Sequence, residues 1–286
     1  MSIGVQAAEL SIGTKPGMPD SIGIVGKGFV GTTIANYYRE HGFDVKSFDI
    51  RGDCDAMDEV AAQDIVFVAI MLPDNGQSAT DKVSLLQILS KMPEGCVVVL
   101  KSTVVPGTTQ WLQGMFPQLN MFFNPEFLTE ATAAKDFSQP PFAILGVTDT
   151  SDQLQLVRKV QGVLPTASPE RTFVVGASEA EMIKTVRNSY LALKLTAFNQ
   201  VYDVCSWSGV NYEIIRDILA QDEWIGDSHN IIWHKGKRGF SGKCLPKDLH
   251  NLVRYCEDMH MDIPLFGCAE NLNKGYLAQR REEQNG

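Results

Sequence analysis

The sequence has no long hydrophobic run. Across its 286 residues no apolar stretch approaches the roughly 18 residues that a membrane-spanning helix needs. Residues 1–20 also lack the basic segment and apolar core of a signal peptide. We therefore expect a protein of the cytoplasm that does not cross a membrane.

An excess of positive charge is missing as well. The formal net charge is −9 at pH 7, which argues against general binding of nucleic acid. The six cysteines form no CxxC pair and the five histidines form no HExxH motif, so we predict reduced thiols and no metal site. With 44% hydrophobic and 21% charged residues, the chain is expected to fold into one or two domains.

A βαβ pattern stands near the beginning of the chain. Ile22–Val25 predicts a buried strand, apolar residues at helical spacing follow Gly31, and Val45–Phe48 predicts a second strand that ends at Asp49. Further strands are predicted within 64–73 and 95–103 and at 120–123, 142–146 and 172–175, with a helix at 152–163. This alternation predicts an α/β fold with a Rossmann-type, doubly wound parallel sheet.

The pattern becomes helical from about residue 177. Apolar residues recur at helical spacing over 178–208, and further helices are predicted from Tyr212, after Pro246 and after Pro264. We therefore predict that an all-helical domain follows the sheet. The predicted regions are an N-terminal extension at 1–20, a Rossmann domain at 21–176 and a helical domain at 177–286.

The GKGFVG segment has glycines in the spacing GxGxxG between a predicted strand and a predicted helix. Gly26 would make the tight turn, Gly28 would let the backbone approach a pyrophosphate, and Gly31 would permit close packing of helix on strand. Asp49 is expected to bind ribose hydroxyls and to favour NAD over NADP, a preference that the nearby Arg51 weakens. The alternative is that the glycines serve only a packed turn. The predicted cofactor-binding residues here are Gly26, Gly28, Phe29, Val30, Gly31 and Asp49.

Polar residues follow two further predicted strands, in KSTVVPGTT and NPEFLTEA. The carboxyl edge of a parallel sheet is where such folds bind ligands, so Thr103, Glu126 and Glu130 are expected to face a site. The alternative is that Thr103 and Thr108 cap a helix and that Glu130 is solvated.

Lys184 and Asn188 are four residues apart on the predicted long helix and leave it on one face. Facing inward, the lysine could stabilise an oxyanion or move a proton, and the amide could orient a substrate. Helix statistics alone favour a solvated pair.

A cysteine stands between a glycine-rich turn and a Pro-Lys-Asp run in GFSGKCLPKD. Cys244 is expected at a helix N-terminus, where the helix dipole, Lys243 and Lys247 would lower the pKa of its thiol. The alternative is a small, half-buried cysteine beside a helix cap. The preceding basic segment HKGKRG, residues 234–239, is either a solvated loop or an anion-binding loop.

Five segments occur in the order and rough spacing of one known family. Residues 21–275 resemble the UDP-glucose/GDP-mannose dehydrogenase family through GIVGKGFVG, KSTVVPGTT, NPEFLTEATAAKDF, EMIKTVRNSYLA and GFSGKCLPKD. The resemblance implies an NAD-dependent oxidation of the primary alcohol of a nucleotide sugar to a carboxylate, in two hydride transfers. It also implies a homodimer formed through the helical domain.

The same resemblance implies roles for individual residues. Cys244 would form a thiohemiacetal and then a thioester, while Lys184 would stabilise the oxyanion and Asn188 would hold the sugar. Asp248 would order the hydrolytic water together with Thr103.

Other positions also match the family's motifs. Glu126 matches the glutamate that does acid–base work in the hydrolytic half of the reaction. The substrate-binding residues implied are Phe127, Leu128, Glu130, Lys184, Asn188, Gly239 and Phe240. Thr103, Glu130 and Lys247 join the implied cofactor-binding residues.

The sequence also departs from the family pattern. Ser241 and Lys243 replace a glycine and a serine of the cysteine motif, and Ala131 replaces a glycine. We further expect the family's C-terminal nucleotide-binding domain to be missing. Two alternatives stay open: a β-hydroxyacid-type dehydrogenase that performs a single oxidation, and an NAD-binding protein without catalysis.

Overall fold

The computed structural model describes residues 19–52, 54–72, 79–166, 171–234, 236–242 and 244–279. Most of the predicted N-terminal extension lies outside these ranges, as does Lys243. The chain divides into two compact units, one up to Lys184 and one from Thr185. The predicted boundary between the Rossmann and helical domains, after residue 176, falls directly before the helix Ala177–Ser208, which crosses this division.

The first unit is built on a seven-stranded sheet in the order β2-β1-β3-β4-β5-β6-β7. Its strands are β1 Ser21–Val25, β2 Asp44–Phe48, β3 Ile65–Val68, β4 Val97–Leu100, β5 Asn120–Phe123, β6 Ala143–Val147 and β7 Thr172–Gly176. Because β1 lies between β2 and β3, the strand order reverses at β1, and such reversals are where doubly wound sheets bind ligands. The predicted fold class is confirmed.

One refinement concerns strand direction. Neighbouring strands from β2 to β5 are parallel, whereas β6 runs antiparallel to β5, with Phe123 opposite Gly146. Strand β7 is parallel to β6. Burial on both faces gives a strand the same continuous apolar run in either direction, so the sequence pattern does not report the reversal.

Helices cover both faces of this sheet. They are α1 Phe29–Glu40, α2 Met57–Ala61, α3 Ala79–Leu89, α4 Thr108–Met115, α5 Ala133–Ser138, α6 Leu154–Gln161 and the beginning of α7 Ala177–Ser208. Along β3, Val66 and Val68 join one apolar cluster while Ile65 and Phe67 join the other. The alternation places a core on each face of the sheet, which explains why its strands read as unbroken apolar runs.

The second unit is mainly helical. It contains the rest of α7, α8 Tyr212–Leu219, β8 Trp233–His234, β9 Lys237–Arg238, α9 Leu245–Asp258 and α10 Pro264–Ala278. The two short strands form an antiparallel hairpin that the all-helical expectation missed. In the described part of the chain, no helix is long and apolar enough to cross a membrane.

The hairpin bears on the two interpretations of the basic segment at one residue, Arg238. The guanidinium of Arg238 is buried between the rings of Tyr202 and Tyr276, at 4.9 and 4.6 Å from their centroids. It donates to Asn199 Oδ1 at 3.0 Å and to Asp203 Oδ1 at 2.7 Å. At this residue the segment is neither a solvated loop nor an anion-binding loop, because the charge is used to hold the unit together.

Candidate functional site

The glycine-rich turn joins β1 to α1. Gly26 has φ +101°, and a Cβ there would collide with the carbonyl of Ala69. A Cβ on Gly31 would overlap the carbonyl of Gly26, so both positions require glycine. Gly28 is the N-cap of α1, and no described atom lies within 4 Å of where its Cβ would be. The turn therefore leaves an open helix N-terminus where a phosphate can approach the backbone.

Asp49 follows β2 and lies beside this turn. Its Oδ2 accepts from the backbone N–H of Lys27 at 2.7 Å, and its Oδ1 accepts from Arg51 Nε at 3.0 Å. These bonds, led by that of the Arg51 side chain, hold the pKa of Asp49 well below its ordinary value. An ionised carboxylate at this place fits the ribose hydroxyls of a dinucleotide whose phosphates lie on the turn.

Lys184 and Glu126 form a buried ion pair in the first unit. Lys184 Nζ donates to Glu126 Oε1 at 2.7 Å and to the Glu126 carbonyl at 2.6 Å. Glu126 Oε2 accepts from the backbone N–H of Leu128 at 2.8 Å. Burial alone would raise the pKa of Glu126, but the ammonium of Lys184 and these hydrogen bonds hold it below its ordinary value. The solvated-lysine alternative is therefore wrong, since 3% of the Lys184 side chain is exposed.

Sequence reasoning missed a second buried lysine beside this pair. Lys101 Nζ donates to Asn124 Oδ1 at 2.5 Å, and Asn124 Nδ2 donates to the Ile144 carbonyl at 2.6 Å. Burial lowers the pKa of Lys101 to about 7; the nearby cation of Lys184 adds to this effect, and Glu126 opposes it. Its position in KST, directly after a buried strand, was the available signal.

The alternative that Thr103 and Thr108 cap a helix is also wrong, because neither side chain caps α4. The N-cap of α4 is Gly107, and the N-terminus of this helix is held by the Glu181 carboxylate. Glu181 accepts from the backbone N–H groups of Gly107 and Thr109 at 2.6 and 2.8 Å. Thr103 is half-buried, and Thr108 bonds its own turn.

The residues of NPEFLTEA are placed differently from one another. The ammonium of Lys184 lies 5.5 Å from the ring centroid of Phe127, while Leu128 is half-buried. Glu130 is exposed, which agrees with the alternative that it is solvated. In the first unit the structure thus brings together Lys184, Glu126 and Phe127.

The second unit brings Asn188 and Asp248 together. Asn188 Nδ2 donates to Asp248 Oδ2 at 2.6 Å, and both side chains are buried. Asp248 lies in the first turn of α9, where a carboxylate is favoured by the helix dipole. Cys244 is the N-cap of the same helix and is exposed, and its carbonyl accepts from the Asp248 N–H at 2.9 Å. The thiol therefore stands at a helix N-terminus, one turn before a buried carboxylate, as the sequence predicts.

The turn that leads to Cys244 is held by Asn273. The backbone N–H of Phe240 donates to Asn273 Oδ1 at 2.8 Å, and Asn273 Nδ2 donates to the Phe240 carbonyl at 2.9 Å. The Phe240 side chain belongs to an apolar cluster with Leu249 and is 2% exposed. Phe240 is therefore held within the second unit by its side chain and by both polar groups of its backbone.

The two positive-φ glycines of this turn give a matched prediction. Gly239 and Gly242 have φ +79° and +88°, but a Cβ on Gly239 would collide with Asn273, whereas no described atom lies near that of Gly242. We expect Gly242→Ala to cost about 1–2 kcal/mol for the left-handed backbone. Gly239→Ala should cost about 1–3 kcal/mol more because of the collision. Urea unfolding followed by circular dichroism measures both, and equal losses would contradict the contact with Asn273.

Comparison with known families identifies the family of the chain. Residues 49–163 match the NAD-binding domain of the UDP-glucose/GDP-mannose dehydrogenase family, and residues 178–275 match the central domain of the same family. The chain belongs to the UDP-glucose/GDP-mannose dehydrogenase family. It carries the family's NAD-binding domain, followed by its central domain.

Individual relatives agree with this assignment. The chain is 28% identical to a UDP-glucose 6-dehydrogenase of Haloferax volcanii, over 89% of this chain and 69% of that protein. It is 30% identical to a UDP-glucose 6-dehydrogenase of Pseudomonas aeruginosa, over 75% of this chain but 49% of that protein. The chain therefore spans about half of that second relative's length.

A solved structure shows the same fold. The UDP-glucose dehydrogenase of Pyrobaculum islandicum superposes with a TM-score of 0.79 at 22% identity, covering 93% of this chain and 70% of that chain. At this level of identity the likeness shows the fold alone.

Proposed function

We propose that this protein is an NAD-dependent dehydrogenase that oxidises the primary alcohol of a nucleotide sugar of the UDP-glucose type to the uronic acid. One observation carries the proposal. In a chain of this family, the exposed Cys244 stands at the N-terminus of α9, one turn before the buried pair of Asp248 and Asn188. A thiol placed in this way is suited to covalent chemistry on a carbonyl.

The glycine-rich turn and Asp49 would hold the dinucleotide. The backbone at Gly28 would bind the pyrophosphate, and the Asp49 carboxylate would accept hydrogen bonds from the ribose hydroxyls. NAD, when bound, supplies the hydride acceptor for both oxidations.

Cys244 would act on the aldehyde formed by the first oxidation. Its sulfur bonds to the aldehyde carbon, the carbonyl electron pair moves to oxygen, and the oxygen takes up a proton. The carbon again bears a C–H and a hydroxyl group, so its oxidation gives a thioester. Water then attacks the thioester carbon, the C–S bond breaks, and the acid leaves with the thiolate restored.

Buried polar groups would assist these steps. The Lys184 ammonium, oriented by its two bonds to Glu126, is suited to stabilise the oxyanion at the reacting carbon. Glu126 would take up and return a proton during hydrolysis. Asn188 fixes the direction of the Asp248 carboxylate, which would order the attacking water with Thr103.

A homodimer is part of the proposal. Apolar side chains remain exposed on the last turns of α7 and on α8, with Trp207 at 90%, Val204 at 64% and Ile218 at 66% exposure. Several large apolar side chains left exposed in this way are typical of a region that another protein covers. The cytoplasmic location stays a prediction.

Asp49 and Arg51 lead to a prediction about cofactor choice. Asp49→Asn should weaken NAD binding by roughly 10–100-fold, because the amide replaces a charged acceptor worth about 1.5–3 kcal/mol. Arg51→Ala should leave NAD binding within a few-fold and weaken NADP binding, since it removes the cation that can pair with a 2′-phosphate. Calorimetric titration with both dinucleotides measures this. A stronger NADP affinity in Arg51→Ala would contradict it.

The proposed function is tested by stoichiometry. The full chain is incubated with a limiting amount of UDP-glucose, other UDP-sugars or GDP-mannose and an excess of NAD. Two NADH and one carboxylate per sugar are expected. One NADH per sugar would favour a single oxidation, and no turnover of any of these sugars by protein that binds NAD would overturn the proposal.

A further inference from the structure

Lys101 is a buried basic side chain to which the proposed chemistry gives no task. It directly follows β4, and Asn124 directly follows β5. Because these strands are parallel neighbours with Leu100 paired to Phe123, the two residues meet at the carboxyl edge of the sheet. The same edge carries Glu126, two residues further along the chain.

The amino group of Lys101 is held in one direction. The side-chain amide nitrogen of Asn124 is used by the Ile144 carbonyl, so the amide oxygen faces Lys101 and accepts from Nζ at 2.5 Å. The ring of Phe137 lies on another side, with its centroid 5.4 Å from Nζ. Lys101 is 4% exposed, so its amino group is shielded from bulk water.

The charges around Lys101 are unequal in number. The charged groups that act on it are Glu126, from the loop after β5, and Lys184, from α7. Glu126 bonds directly to Lys184, so a protonated Lys101 is a second cation near one carboxylate. Buried charges are costly unless compensated, and two ammonium groups near one carboxylate strongly favour its ionised form.

We propose that Lys101 is a positioning residue for the reaction: its buried amino group, anchored on Asn124, keeps the Glu126 carboxylate ionised and bonded to Lys184. The inference rests on the proposed function, because Glu126 and Lys184 are the groups that would act on the substrate. Because the pKa of Lys101 is lowered to about 7, its amino group loses its charge as the pH rises through neutrality, and its effect on Glu126 weakens.

The experiment compares wild type with Lys101→Met by two measurements. The carboxyl ¹³C signal of Glu126, assigned by its loss in Glu126→Gln, is titrated with pH. The pH dependence of kcat/KM is recorded with NAD and UDP-glucose. In Lys101→Met, both the Glu126 titration and the acid limb of the rate profile should move upward by about half to one pH unit, as expected for losing a nearby cation. NAD affinity should be unchanged.

Lys135→Met is the matched control, because Lys135 is exposed on α5 of the same unit and should move neither curve. An unchanged Glu126 titration in Lys101→Met would overturn the proposal, whatever the rates show. If wild type oxidises no nucleotide sugar, the proposed function fails, and the carbon titration alone decides the role of Lys101. Should Lys101→Met not fold, Lys101→Gln, which keeps a donor to Asn124, takes its place.

Discussion

Replacing Cys244 by serine is expected to lower carboxylate formation by roughly 10³-fold or more, as removal of a covalent nucleophile does elsewhere. A serine hydroxyl at a helix N-terminus stays protonated at neutral pH, because its pKa lies far above that of a thiol. The aldehyde of the first oxidation then has no thiolate to form the thiohemiacetal. Formation of carboxylate is followed by chromatography and NADH by absorbance, with NAD binding measured separately.

Cys268→Ser is the matched control for this substitution. Cys268 is exposed on α10 of the same unit, and the proposed mechanism gives it no role. The control should keep the wild-type rate, and both variants should bind NAD with wild-type affinity. Carboxylate formation by Cys244→Ser at the rate of the control would remove the cysteine from the mechanism.

Much of the fold could be predicted because its signals are local. The run Ile65–Val68 is apolar at every position since both faces of the sheet are covered, and this burial is visible in the sequence. The positive φ of Gly26 is likewise visible in the sequence, because that conformation requires a glycine. Cys244 at a helix N-terminus followed from the proline two residues later, whose fixed φ suits a first helical turn.

The parts that could not be predicted depend on contacts between distant segments. Lys184 looks like a solvated helical lysine until α7 is seen packed against Glu126, 58 residues away. Glu181 caps α4 across 72 residues, which no capping rule for neighbouring residues detects. The burial of Arg238 likewise depends on Tyr276, from a later helix. In each case a charged side chain is buried with a partner that lies far away along the chain.

The free energy of unfolding should fall by about 3–5 kcal/mol in Lys184→Met, because the substitution leaves the Glu126 carboxylate buried without its ammonium partner. The more exposed pair of Lys159 and Asp64, at 3.3 Å and with side chains 30% and 41% exposed, provides the control. Lys159→Met should cost less than about 1 kcal/mol, since a solvent-exposed ion pair contributes little. Urea unfolding at neutral pH measures both, and similar losses in the two variants would contradict the buried pair.

The loss of unfolding free energy in Lys184→Met should depend on pH, because Glu126 is titratable. In the wild type the pKa of Glu126 is lowered on folding, so its contribution to stability is present above the unfolded value of 4.5 and is lost as the pH falls further. In Lys184→Met the buried carboxylate keeps the nearby cation of Lys101 but loses its bonded ammonium, so burial raises its pKa and the uptake of a proton relieves the cost. The difference in stability between the two proteins should therefore be largest at neutral pH. It should begin to narrow above pH 4.5, as the buried carboxylate of the variant takes up its proton, and should narrow further below 4.5, as the wild type loses its ionised pair.

The double variant Lys184→Met/Glu126→Leu separates the loss of the pair from the burial of one charge. Replacing both partners by apolar side chains of similar size removes the uncompensated carboxylate, so most of the stability lost in Lys184→Met should return, to within about 1–2 kcal/mol of wild type. The double variant should nevertheless lack activity with nucleotide sugars, because both groups that would act on the oxyanion and the water are gone. A double variant as unstable as Lys184→Met would mean that Lys184 contributes through its packing on Phe127 and not through its charge.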